Sequence, residues 1–256
     1  MRLTKLLNQK RKNLLSIYCT AGYPSRDVLP SILDALEEVG VDFVEVGIPY
    51  SDPLADGPTI QESSSIALQN GISIDLIFEQ LASYDGNMPL VMMSYLNPVL
   101  QYGMERFLKR CVEAGVSGVI LPDLPPEIYQ KQYQELFEQT GISNIFLMSP
   151  QTSPERLRLI DSLSSSFIYA VSSASTTGKQ QGLEESGYLK GLKNLGLNHP
   201  VMVGFNISTA ADLALVHRHA AGGIIGSAFI KEIARYSDLL HVTCGNFIQS
   251  LKYKNL

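Results

Sequence analysis

Short apolar runs alternate with amphipathic stretches along the whole chain. The first run is Leu14-Leu15-Ser16-Ile17-Tyr18-Cys19-Thr20, ended by Ala21-Gly22-Tyr23-Pro24. Leu29, Ile32, Leu33, Leu36 and Val39 then recur every three or four residues, which predicts a helix with one buried face ending at Gly40. Phe43 opens the second run, and further strands are expected over 90–94, 118–121, 144–148, 167–171, 201–204 and 223–225. Between them the periodicity predicts helices over 59–68, 74–81, 104–113, 126–140, 154–163, 188–195 and 210–220, with a last one over 239–251. Leu3, Leu6 and Leu7 predict a short leading helix.

Eight nearly continuous apolar strands separated by helices call for a parallel sheet buried on both faces. Eight units with no spare segment favour a closed (β/α)8 TIM barrel over an open doubly wound sheet. No Gly-x-Gly-x-x-Gly turn follows the first strand, which agrees. No linker or low-complexity tract interrupts residues 1–256, so the expectation is one barrel domain of the usual size of about 250 residues, preceded by a short N-terminal helix.

Composition narrows the function classes. Hydrophobic residues make up 45% and charged residues 18%, as in an ordinary globular protein. A net charge of −5 without a basic run argues against nucleic acid as a partner. Cys19, Cys111 and Cys244 are far apart in apolar surroundings, so buried free thiols are expected. The basic segment from Met1 to Arg11 lacks the apolar core of a signal peptide, and no run approaches the ~20 apolar residues of a membrane span. A cytoplasmic protein is the expectation.

The densest chemistry lies between Phe43 and Gln61. Glu45 intrudes between Val44 and Val46, and a carboxylate there is costly unless paired, hydrated or used. A barrel-interior Glu hydrogen-bonded to a neighbour and a catalytic acid both fit. Pro49, Pro53 and Pro58 turn the strand into a shaped loop that carries Asp52 and Asp56. Active sites of this barrel form at the C-terminal strand ends, here Tyr18, Thr20, Glu45, Tyr95, Asn97, Ile120, Asp123, Tyr169, Gly204-Phe205 and Gly226-Ser227. Aromatics outnumber charges in that set, which suits an aromatic substrate.

Three glycine turns, at Thr177-Gly178, Gly204-Phe205 and Gly226-Ser227, fall after the sixth, seventh and eighth strands. Barrels commonly seat phosphate there on backbone N–H groups; plain turn chemistry is the alternative. No lysine lies at a strand end, Lys179 being a loop residue, so a Schiff-base aldolase lacks its nucleophile. His199, His217, His219 and His241 lie away from those ends, so no metal site is expected. Proton transfer and electrostatics remain as the means of catalysis, with Asp123 as a supporting acid.

The run Glu45-Val46-Gly47-Ile48-Pro49-Tyr50-Ser51-Asp52-Pro53-Leu54-Ala55-Asp56-Gly57-Pro58-Thr59-Ile60-Gln61 closely resembles the signature of the tryptophan synthase α subunits. The resemblance extends over the whole chain through Ile17–Pro24, Met93–Pro98, Leu121–Pro125 and Gly226-Ser227-Ala228. It implies a TIM barrel that cleaves indole-3-glycerol phosphate to indole and glyceraldehyde 3-phosphate. Glu45 would be the catalytic acid/base and Asp56 the acceptor of the indole N–H. Tyr18, Tyr95, Ile120 and Tyr169 would line the substrate site, Thr177 would hold Asp56 when its loop closes, and Gly178, Gly204, Phe205, Asn206, Gly226 and Ser227 would serve the phosphate end. The resemblance further implies no cofactor in this chain and an α2β2 complex. Its β subunit holds pyridoxal phosphate and takes up the indole, and the loop at Asp52 and Pro53 meets it.

Two places depart from the family pattern. Ser-Arg-x-Gly-x-Thr-Gly becomes Ser172-Ser173-Ala174-Ser175-Thr176-Thr177-Gly178, and Gly-Phe-Gly-Ile becomes Gly204-Phe205-Asn206-Ile207. Ser173, Ser175 and Asn206 therefore leave a second reading open: a subunit impaired in cleavage that acts mainly as allosteric partner of the β subunit. A third, another phosphosugar barrel isomerase, matches only the general architecture.

Overall fold

The computed structural model describes residues 1–171, 187–235 and 239–252. Its strands are β1 (Leu14–Thr20), β2 (Phe43–Gly47), β3 (Leu90–Met93), β4 (Val116–Ile120), β5 (Ser143–Ile145), β6 (Leu147–Met148), β7 (Ile168–Ala170), β8 (Val201–Val203) and β9 (Gly222–Ile225). All pairings are parallel, in the order β5-β4-β3-β2-β1-β9-β8-β7-β6. The two ends of that order are consecutive in the chain, separated only by Phe146. The ring therefore closes on a single interrupted strand, and the Phe146 carbonyl still accepts the Tyr169 N–H at 2.9 Å.

The expected eight strands are thus nine segments in eight barrel positions. The interruption comes from packing: Phe146 is buried with its ring 5.1 Å from Tyr129 at 88°. The predicted helix over 126–140 is likewise divided, into α-helical Pro126–Ile128, a π-helical turn at Tyr129–Tyr133 and α-helical Gln134–Thr140. One helix, Leu96–Tyr102, was not expected; it holds Pro98 in its first turn, where a missing N–H costs no helical hydrogen bond.

Strand alternation sorts the buried residues into two cores. Ile17, Cys19, Val44, Val46, Met92, Val119 and Val203 face the helices. Leu14, Phe43, Val91, Ile120, Ile145, Phe167, Tyr169, Met202 and Ile224 fill the barrel interior. The leading helix, α1 (Arg2–Gln9), closes the floor, with Leu3 fully buried and Leu7 nearly so among the interior residues. Gly118 leaves room for Ile145, whose Cδ1 would lie 3.0 Å from an added Cβ. The three cysteines are buried and free. Among the described residues no helix is long and apolar enough to cross a membrane, and none of the His, Cys, Asp and Glu side chains group as metal ligands would.

Candidate active site

Period-two alternation on β2 turns Glu45 into the barrel beside Phe43, while Val44 and Val46 face outward. Glu45 is 0% exposed, and neither Oε1 nor Oε2 has a hydrogen-bond partner among the described residues. A structural Glu bonded to a neighbour thus finds no such neighbour among the described residues. Burial pushes its carboxyl from 4.5 up to about 8, so it keeps its proton at neutral pH. A native carboxyl without a partner calls for a functional reason.

Asp56 approaches the same mouth from the loop before α3 (Pro58–Gln69). Its backbone N–H donates to the Pro53 carbonyl at 3.1 Å, and Gln61 Nε2 donates to its own carbonyl at 2.8 Å. The neighbouring Ala55 N–H donates to the Tyr95 hydroxyl at 2.9 Å, which pins the loop to the strand-three end. Burial raises the Asp56 carboxyl to about 6, partly offset by its hydrogen bond to Tyr95. At pH 7 one acid is protonated and the other ionised. Environments that split two carboxyls in this way assign them different tasks.

Tyr18 and Tyr169 are each influenced by both acids. Burial raises both phenols far above 10; the charge of Asp56 is the next cause at Tyr18, and that of Glu45 at Tyr169. Two glycines make room for them. A Cβ at Gly47 would overlap the Tyr18 hydroxyl, and one at Gly204 would overlap the Tyr169 hydroxyl. Gly226 is close too, its added Cβ lying 3.4 Å from Tyr18. A pocket at the mouth is lined by Tyr18, Ile48, Tyr50, Asp56, Ser64, Met93, Ser94, Tyr95 and Pro122. Tyr50 and Tyr95 pack ring to ring at 5.3 Å, and Asn97 Nδ2 donates to the Tyr50 hydroxyl at 3.2 Å. Asp123 supports this wall from behind, its Oδ1 accepting the Leu96 N–H at 2.8 Å.

The other expected site residues separate by position. Ile120 is fully buried in the interior core and does not line the mouth pocket. Phe205 is buried in the core cluster between sheet and helices, its ring stacked 6.3 Å from Tyr188. Asn206 is exposed with φ +52°, a conformation Gly adopts more readily than Asn. Ser227 is the exposed first residue of α12 (Ser227–Arg235), next to Gly226. Asp52 is exposed and its carboxylate accepts the Ser51 hydroxyl proton at 2.5 Å, Pro53 is half-buried, and Leu54 beside them is 91% exposed. Thr177, Gly178, Ser173 and Ser175 lie outside the described residues.

Sequence reasoning missed Gly47, Ile48, Ser64, Met93, Ser94 and Pro122. A Gly inside an apolar strand, two positions after the carboxylate, was the available signal for Gly47. Nothing local marks Ser64, which reaches the mouth from α3.

Comparison with known proteins agrees with this geometry. The family model described as tryptophan synthase alpha chain matches residues 3–252. A tryptophan synthase alpha chain from Christiangramia forsetii is 49% identical over 255 residues, covering 98% of each chain. Another, from Bacteroides thetaiotaomicron, is 46% identical over 241 residues, covering 93% of this chain and 94% of its own. Among solved structures, tryptophan synthase subunit alpha from Legionella pneumophila superposes with a TM-score of 0.86 at 34% identity, covering 98% of this chain and 97% of that one. A chain of the tryptophan synthase complex from Pyrococcus furiosus gives a TM-score of 0.83 at 30% identity, covering 95% and 99%. With a full-length family match, near-half identity to those relatives and their barrel, this chain belongs to the tryptophan synthase alpha chain family.

Proposed function

We propose that this chain cleaves indole-3-glycerol phosphate to indole and glyceraldehyde 3-phosphate at the barrel mouth, with Glu45 as proton carrier and Asp56 as electrostatic partner. The observation that carries the reading is the buried Glu45 carboxyl, without a partner among the described residues, in the barrel whose mouth pocket Asp56 lines, with Tyr18 and Tyr169 each influenced by both acids. Asp56 accepts the indole N–H and stabilises the positive charge that forms when indole C3 takes a proton. Glu45, protonated at rest, supplies a proton and then, as carboxylate, removes the one on the side-chain hydroxyl next to the ring. The electrons of that O–H bond form the new carbonyl, the carbon–carbon bond breaks, and its pair returns to the indole ring. No water is consumed. Tyr18, Tyr95 and Tyr169 provide the aromatic walls. The phosphate sits on backbone N–H groups near Gly178, Gly204, Asn206 and Ser227.

The partner in this reading is a β subunit carrying pyridoxal phosphate, joined in an α2β2 assembly through the exposed loop at Asp52 and Pro53. The solved complex from Pyrococcus furiosus supports an assembled state for the family. Both acids at one mouth favour a lyase over a purely regulatory subunit. The test is indole release from indole-3-glycerol phosphate with and without β subunit. Glu45→Gln is expected to lower turnover by about 10²–10⁴-fold with substrate binding retained. Near-normal turnover in that variant would sink the assignment.

A further inference from the structure

At the end of the barrel opposite Glu45 lies a second pocket of about 620 Å³, bounded by α1 and by the segments entering β8 and β9. Arg11, Lys12, Lys193, His199 and His219 line it, and no Asp or Glu does. In a chain of net charge −5 this is a local reversal of sign. Arg11, Lys12 and Lys193 make no ion pair among the described residues. The acid behind the wall, Asp161, is already occupied: it accepts the backbone N–H groups of Asn198 and His199, the Asn198 amide, and the His199 Nδ1–H at 3.0 Å. That last bond leaves Nε2 as the other hydrogen-bonding atom of the ring. Burial and then the charges of Lys193, Lys190 and Arg218 hold His219 below its ordinary value, in keeping with a positive field.

One further group points to a ligand. Ser166 is 4% exposed, lines this pocket, and its hydroxyl has no hydrogen-bond partner among the described residues. A hydroxyl left dry in this way is costly unless something occupies it. Leu7, Leu192 and Leu197 give the pocket apolar walls beside its cations. The volume falls within the ~300–1,000 Å³ range of small-molecule sites and exceeds the needs of a bare inorganic ion.

We propose that this floor pocket binds a phosphate monoester: the phosphate meets Arg11, Lys193 and the Ser166 hydroxyl, and an apolar ester group lies along the leucines. A phosphate carries about −1.5 to −2 charge near pH 7 and three acceptor oxygens, which matches several cations and a hydroxyl better than a carboxylate's single charge does. The site is separate from the mouth and does not depend on the reaction assigned there.

The full-length protein, isotope-labelled for amide NMR, is titrated with phenyl phosphate and, in parallel, with inorganic phosphate. The amides of Gly196, Asn198 and Ala221 are expected to shift saturably with phenyl phosphate and with weaker affinity for inorganic phosphate. The double variant Arg11→Ser/Lys193→Gln, both exposed positions, should bind at least about tenfold more weakly while melting as wild type does. Ser166→Ala should weaken binding without abolishing it. Shifts confined to the surroundings of Gly204 and Gly226, an absence of saturation at the floor, or wild-type affinity in the double variant would each overturn the site. Equal affinity for the two ligands would overturn the ester-binding wall.

Discussion

Replacing Glu45 by Gln should change stability in a pH-dependent way, because the native barrel holds this carboxyl in its neutral form. Its ordinary value is 4.5 and burial raises it to about 8. The native state therefore retains a proton that the unfolded chain has lost, over the window between those values. In that window stability falls as pH rises. The contribution of Glu45 is fully present below about 4.5 and is lost progressively until the pH passes about 8. At ~1.4 kcal/mol per pH unit the loss reaches about 3 kcal/mol at pH 7 and roughly 5 kcal/mol at its limit. Gln has no proton to lose, so Glu45→Gln should gain stability relative to wild type by those amounts. Urea unfolding of both proteins between pH 5 and 8.5 measures the difference, and every other titrating group cancels in it. A constant offset from the unbonded amide is immaterial, since only the slope carries the test. A difference that stays flat across the range would show that the Glu45 carboxyl is solvated and titrates normally.

The remaining predictions concern the walls and loops of the mouth. Gly204→Ala drives a methyl into the Tyr169 hydroxyl, and overpacking of this kind costs about 1–3 kcal/mol; the melting midpoint should drop by several degrees, and an unchanged midpoint would show that Tyr169 moves aside freely. Asn206→Gly relieves a backbone at φ +52° and removes a side chain beside the proposed phosphate position. Tighter substrate binding is expected by titration, and unchanged or weaker binding would show that Asn206 is not obstructive. Asp52→Ala should leave substrate binding intact but reduce activation by a β subunit, a coupling typically worth about 1–3 kcal/mol. If wild type and variant respond to added β subunit with the same midpoint and the same fold increase, Asp52 is only a solvated loop acid.

Much of the barrel was legible because its strands are buried on both faces, and such strands read as apolar runs whatever their partners. Glu45 stood out for the same reason, as a charge where the pattern allows none. The break at Phe146 was not legible, since Asn144-Ile145-Phe146-Leu147-Met148 reads as one continuous strand, and the interruption arises from the Tyr129 ring across the helix layer. Ile120 was read as a substrate residue from its place near a strand end; the structure buries it in the same interior core as Tyr169. Phe205 follows β8 in the chain, and its ring stacks on Tyr188, a contact that no local pattern announces. The floor pocket draws on residues from Thr4 to Ala221, each unremarkable in its own segment, and only the closed ring brings them together.

Ring closure also sets an order of events during synthesis. Glu45 and Asp56 leave the ribosome early, yet Tyr18 gains its neighbour Gly226 only when β9 arrives to pair with β1. The 170 residues from Gly57 to Gly226 take roughly 10–30 s to translate at ~5–20 residues per second. Throughout that interval β1 has an open edge and the barrel interior around Glu45 is unsealed, so water can still reach its carboxyl. The acid becomes a strong proton holder only after the last strand has docked. A nascent chain thus carries both acids without their raised proton affinity, which burial in the completed barrel confers.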